Sequence, residues 1–159
     1  MQNSKFLKIL VLNSLIAALY AVLTIFVPFS YGAVQFRISE ILTLLAFVNK
    51  KYIPGLILGC FIGNLGSALG PLDLILGTLA TAIAVTLMSF TKNLFVSTLW
   101  PVIVNALIIG GELYFVLNLP FIPSAFSVGF GEFVVVSIVG YFIFKSLIKN
   151  KKLMDILDI

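Results

Sequence analysis

The chain has no histidine and one cysteine, Cys60, in 159 residues. The missing imidazole removes the commonest metal ligand and the usual acid–base group. With it go the Ser-His-Asp and Cys-His arrangements of nucleophilic catalysis. A single cysteine excludes an intramolecular disulfide, a CxxC redox pair and a thiolate cluster. No Gly-Lys-Ser or Gly-Lys-Thr sequence occurs, so these residues carry no phosphate-cradling loop of their own. Charge is scarce too. Asp, Glu, Lys and Arg make up 10% of the chain, against about 25% in an ordinary soluble domain. So little polar surface cannot cover a soluble monomer of this size.

What is present is apolar. Hydrophobic residues supply 61% of the chain, phenylalanine alone occurs 15 times, and the mean hydropathy is +1.19. A membrane span takes about 20 apolar residues. The length therefore allows five or six spans with short loops, in a single membrane domain over residues 1–159. That leaves no room for a separate catalytic or nucleotide-binding domain, and no enzyme activity, metal or cofactor is expected. The net charge of +4 reports which loops face the cytoplasm rather than a nucleic-acid partner.

Six hydrophobic segments are predicted, at about residues 7–27, 36–49, 54–69, 72–90, 94–117 and 125–147. They are continuously apolar and too long for barrel strands, so the expected fold is all-α. The second is short for a straight span. The first, preceded by Lys5 and Lys8, is too long for a signal-peptide core, and no small-x-small cleavage site follows it.

The basic residues fix an orientation. Nine lysines fall on the N-terminal tail, the 2–3 loop, the 4–5 loop and the C-terminal tail or its approach. With six spans these regions share one side, and the positive-inside rule places both termini in the cytoplasm. Five spans would put the basic tails on opposite faces.

The tenth basic residue, Arg37, falls on the other side, where four of the six acids also lie. Glu40 is one turn into the second span, Asp73 opens the fourth, Glu112 is toward the end of the fifth and Glu132 is in the sixth. Asp155 and Asp158 belong to the tail. A charge at the centre of a membrane span costs about 2.5–3.5 kcal/mol on insertion scales. Two readings follow. In one, Arg37 pairs with one acid, interface water solvates the rest and Asp73 caps its helix. In the other, the acids line one polar pocket open to the outside. One base against four acids leaves such a pocket net negative, suited to a cationic or donor-rich ligand. Gln35, Asn64 and Asn105 extend it, Asn105 lying seven residues before Glu112 on the same helix face. Each asparagine serves equally well as interhelical hydrogen-bonding glue. Asn13 is nearer the cytoplasmic side and falls outside the pocket.

Small residues mark packing faces. Gly55, Gly59, Gly63 and Ser67 recur at four-residue spacing and admit another helix closely. Ala17 and Ala21 form a weaker pair that docks a neighbour in the same chain or a separate protein.

Five segments, GAVQFRISEILTLLAF (32–47), PGLILGCFIGNL (54–65), GPLDLILGTLAT (70–81), NALIIGGEL (105–113) and SVGFGEFVVVSIVGYFIF (127–144), together resemble the queuosine-precursor transporters, the QueT family. The Gln-Phe-Arg-x-Ser-Glu segment is the most specific. These proteins are substrate-binding S components of energy-coupling-factor transporters. The resemblance implies the S-component fold with six helices. It implies substrate binding on the outer side, with a membrane scaffold subunit and two cytoplasmic ATPases as partners. It implies scaffold contact at Ala17 and Ala21, and a 1–2 loop, about residues 28–35, that covers the site. The implied ligand is a 7-deazaguanine such as 7-aminomethyl-7-deazaguanine. Its N1–H and exocyclic amine suit one carboxylate and its aminomethyl cation a second. Glu40, Glu112 and Glu132 are expected to include both. The rival readings are a stand-alone proton-coupled secondary transporter, an S component for another vitamin-like molecule, a small intramembrane enzyme and a structural assembly factor.

Overall fold

The computed structural model describes residues 2–27, 36–67 and 69–157, with side chains from Lys5 onward. The described residues are helical, without strands. The elements are α1 (Gln2–Phe26), α2 (Ile38–Val48), α3 (Ile53–Asn64), α4 (Pro71–Phe90), α5 (Leu94–Leu117), α6 (Phe121–Lys149) and α7 (Lys151–Leu157). Four stretches are long and apolar enough to cross a membrane: Lys5–Phe26, Pro71–Phe90, Leu94–Leu117 and Phe121–Lys149. Large side chains such as Phe26, Phe90, Phe115, Ile122 and Phe126 point outward. In water they would form an aggregating surface; in lipid they meet their own solvent.

The helix boundaries have local causes. Asn93 caps α5, its side chain accepting from the Phe95 and Val96 amides at 2.9 and 3.2 Å. Asn118 ends the same helix in the left-handed conformation, with φ 53°. α6 begins at Phe121, earlier than the expected 125, because Pro123 falls in the first turn, where its missing N–H costs nothing. The third helix stops at Asn64, before the expected 69. The C-terminal residues expected as a tail include the short helix α7, tied back where Tyr52 Oη donates to the Leu157 carbonyl at 2.7 Å.

Two helices depart from α geometry. Ile38–Leu44 of α2 is 3₁₀, and only Leu45–Val48 is α-helical. The tighter winding stretches the segment, at about 2.0 Å per residue against 1.5 Å. It still falls well short of a hydrocarbon core of about 30 Å. In α6, Phe133–Gly140 is a π-helix, starting one residue after Glu132. Gly140 provides the room for α2, since a Cβ there would sit 2.9 Å from Leu44 Cδ1.

Cross-helix contacts set the directions. Gly55 meets Asn13, Gly59 meets Ala17 and Tyr20, and Gly63 meets Thr24, so α1 and α3 run parallel. Asn64 bonds the Asp73 carbonyl and Cys60 bonds the Gly77 carbonyl, so α3 and α4 run antiparallel. Gly110 meets Ala125 and Gly129 meets Ala106, so α5 and α6 do likewise. The starts of α1, α3 and α5 and the end of α6 thus share one end of the bundle, which carries the lysines. Above them lies a core built around Tyr20, Leu44, Leu56, Val85, Met88 and Val136; a second core joins α4, α5 and α6 through Ala80, Ala84, Val104, Ile109 and Val128.

Candidate functional site

Seven of the eight predicted site residues are described and buried: Arg37, Glu40, Asn64, Asp73, Asn105, Glu112 and Glu132. The eighth, Gln35, lies outside the described residues, as does the expected covering loop at 28–35. Six of the seven come from the lysine-free half of five helices or their approaches, and Asn105 lies at the middle of α5.

Arg37 is the residue before α2, and its Nη2 lies 3.5 Å from Asp73 Oδ2. The ion pair thus joins α2 to α4 rather than running along one helix to Glu40. Asp73 occupies the third position of α4, but its side chain does not cap that helix. The capping role considered for it is therefore not the one it plays. Glu40 sits inside the 3₁₀ turn, its backbone N–H donating to the Arg37 carbonyl at 2.9 Å. One of its oxygens, Oε1, accepts a short hydrogen bond from Tyr20 Oη.

Asn64 donates to Cys60 Sγ at 3.4 Å and to the Asp73 carbonyl at 3.3 Å. Gly77 makes this possible, because a Cβ there would stand 2.6 Å from Asn64 Nδ2. Asn105 donates to Glu132 Oε1 at 3.0 Å, joining α5 to α6. It is interhelical glue and a positioning partner of an acid at once. Glu112, 2% exposed, makes no hydrogen bond through either carboxyl oxygen.

Beside the hydroxyls of Thr78 and Ser97, six oxygens left over form a pattern. Glu40 Oε2, Asn64 Oδ1, Asp73 Oδ1, Glu132 Oε2 and both oxygens of Glu112 are buried without a hydrogen-bond partner. Every one is an acceptor when the carboxyls are ionised. A buried acceptor without a donor costs about 1–3 kcal/mol, and native proteins keep few such groups.

Sequence reasoning missed the supporting residues. Tyr20 is fully buried and holds Glu40; Thr24 Oγ1 donates to Ser39 Oγ at 2.7 Å behind it. Cys60 Sγ lies 3.1 Å from Thr81 Oγ1. The available signal was spacing: Asn13, Ala17, Tyr20 and Thr24 share the face of α1 that meets the glycines of α3. That same face changes the reading of Ala17 and Ala21. They are 3% and 5% exposed, and the Ala17 backbone packs where a Gly59 side chain would be. The expected scaffold contact at these two positions has no exposed side chain here; Ala17 docks a neighbour in the same chain.

The QueT transporter family matches residues 10–149. The chain belongs to the QueT transporter family. It is a multi-pass membrane protein of a transporter family, not of an enzyme family. The queuosine precursor transporter QueT of Lactococcus lactis subsp. cremoris is 43% identical over 77 residues. That alignment spans 46% of this chain and 45% of the relative. No solved structure matches the chain.

Proposed function

We propose that this QueT-family chain is the substrate-binding S component of an ATP-driven energy-coupling-factor importer, and that it takes up a queuosine precursor of the 7-deazaguanine type. The observation that carries the ligand reading is the group of carboxyl and amide oxygens buried without a hydrogen-bond partner at one end of the bundle, every one an acceptor when the carboxyls are ionised. A molecule rich in N–H donors and bearing a cation satisfies them. 7-Aminomethyl-7-deazaguanine has both, with a ring N–H beside an exocyclic amine at one edge and an ammonium at another. The printed name of the relative, a queuosine precursor transporter, supports the same ligand class.

In this reading the six predicted segments all cross or enter the bilayer, and both termini are cytoplasmic. The sharing of one end by the lysines supports that orientation. The acid-bearing end then opens outward. Substrate enters there. The chain supplies binding and no engine, because its 159 residues hold no phosphate-cradling loop. A membrane scaffold and two ATPase subunits supply the energy.

Transport in proteoliposomes tests this reading. Uptake of radiolabelled 7-aminomethyl-7-deazaguanine is expected only with the scaffold and ATPases present and ATP enclosed with them. Uptake by this chain alone that collapses with the proton gradient would replace the proposal with a proton-coupled secondary transporter.

A further inference from the structure

The four buried acids are not equivalent acceptors. Glu40 has one oxygen committed to Tyr20 and one free. Glu132 has one committed to Asn105 and one free. Asp73 has one facing Arg37 and one free. Glu112 alone has two free oxygens, on a side chain 2% exposed and without a partner.

A carboxylate with two free oxygens accepts two parallel N–H groups from a planar donor pair, a geometry that adds specificity as well as energy. A carboxylate with one oxygen already engaged is less suited to that pair, since one of its acceptor sites and its orientation are taken. It suits a single N–H or one corner of an ammonium, whose three donors point in different directions. Two such carboxylates on different helices can share one ammonium. Glu40 and Glu132 are both of this kind, on α2 and α6, which pack together where Leu44 meets Gly140.

From this difference, and resting on the ligand class proposed above, we infer that Glu112 reads the two-donor edge of the heterocycle, its ring N–H and adjacent exocyclic amine. Glu40 and Glu132 together hold the cationic aminomethyl group. Tyr20 and Asn105 are positioning residues: each occupies the inner oxygen of its carboxylate and turns the other toward the ligand. The ligand therefore lies with its amidine-like edge toward α5 and its cation between α2 and α6.

Calorimetry on the full chain in detergent tests the assignment with three probes. They are 7-aminomethyl-7-deazaguanine, its analogue lacking the 2-amino group, and 7-methyl-7-deazaguanine, which lacks the cation. The wild-type protein is expected to lose about 10- to 100-fold in affinity for either deletion. Glu112→Gln replaces one acceptor by a donor; it should bind the parent weakly and discriminate the 2-amino deletion by under about 3-fold, since little of a charged hydrogen bond then remains to be lost. It should still discriminate the cation deletion. Glu132→Gln should show the reverse. Glu112→Met, unbranched and of similar length, repeats the Glu112 measurement should the glutamine variant not fold. Full 2-amino discrimination in a folded Glu112 variant overturns the assignment while leaving the substrate class standing. Wild-type protein that is folded and binds none of the three probes overturns both.

Discussion

Asn13 and Asn64 have the same side chain and opposite situations. Asn13, at the lysine-bearing end, uses everything it has. Its Nδ2 donates to the Ile9 and Lys51 carbonyls at 2.9 and 3.0 Å, and its Oδ1 accepts from the Gly55 amide at 2.7 Å. Asn64, at the acid-bearing end, donates through its nitrogen and leaves its oxygen buried and bare. The seam that Asn13 belongs to is closed: glycines of α3 bring two backbones together, and the polar groups there are paired. The end that Asn64 belongs to is open in a chemical sense, with acceptors held in place and lacking donors. Asn13 is thereby a structural group, whereas Asn64 presents an acceptor that the proposed ligand would meet.

The comparison breaks hardest at the seam. A Cβ on Gly59 would lie 2.7 Å from Tyr20 Cβ and 2.9 Å from the Ala17 carbonyl, and backbone cannot move aside. Gly59→Leu is expected to abolish the monodisperse peak in detergent size-exclusion chromatography, and Ala17→Trp to do the same from the other side. Gly111→Leu, with nothing within 4 Å of its Cβ position, should elute as wild type. A folded Gly59→Leu protein would mean that the seam is not closed.

At the acid-bearing end the order of effects is inverted. Glu112→Gln removes a buried charge without a protein partner, so the melting temperature in detergent should hold or rise while affinity falls by about 100-fold or more. A lowered melting temperature with unchanged affinity would make Glu112 structural. Asn13→Leu should do the opposite, lowering stability by about 1–3 kcal/mol through the Gly55 amide it strands, with affinity unchanged. Tyr20→Phe is the smallest expected effect. Glu40 keeps its place in the 3₁₀ turn but loses its orienting donor, for an affinity loss of about 10-fold. An equal loss from Asn13→Leu would erase the distinction between the two ends.

Hydropathy and charge made the gross arrangement legible. Long apolar runs and a one-sided distribution of lysines are what a bilayer demands of any chain, and they survive without knowledge of packing. The buried acids were legible for the same reason, since a carboxylate inside an apolar run is costly. The 3₁₀ winding of Ile38–Leu44 and the π stretch after Glu132 were not, because an apolar run has the same composition whichever helical winding it adopts. Nor were Tyr20 and Cys60. An aromatic or a thiol in an apolar run looks like core until a partner on another helix is known. The small pair Ala17 and Ala21 shows the limit most clearly. A stripe permits close approach but does not say to whom, and for Ala17 the answer was the glycines of the same chain.

The central claim is that the acid-bearing end holds a donor-rich cationic 7-deazaguanine. Its most direct test is a calorimetric titration of the purified, folded chain with 7-aminomethyl-7-deazaguanine, beside Glu112→Gln. Saturable binding of one ligand per chain is expected, lost or strongly weakened in the variant. No heat and no ligand-induced rise in melting temperature, in wild-type protein with an intact fold, would contradict it.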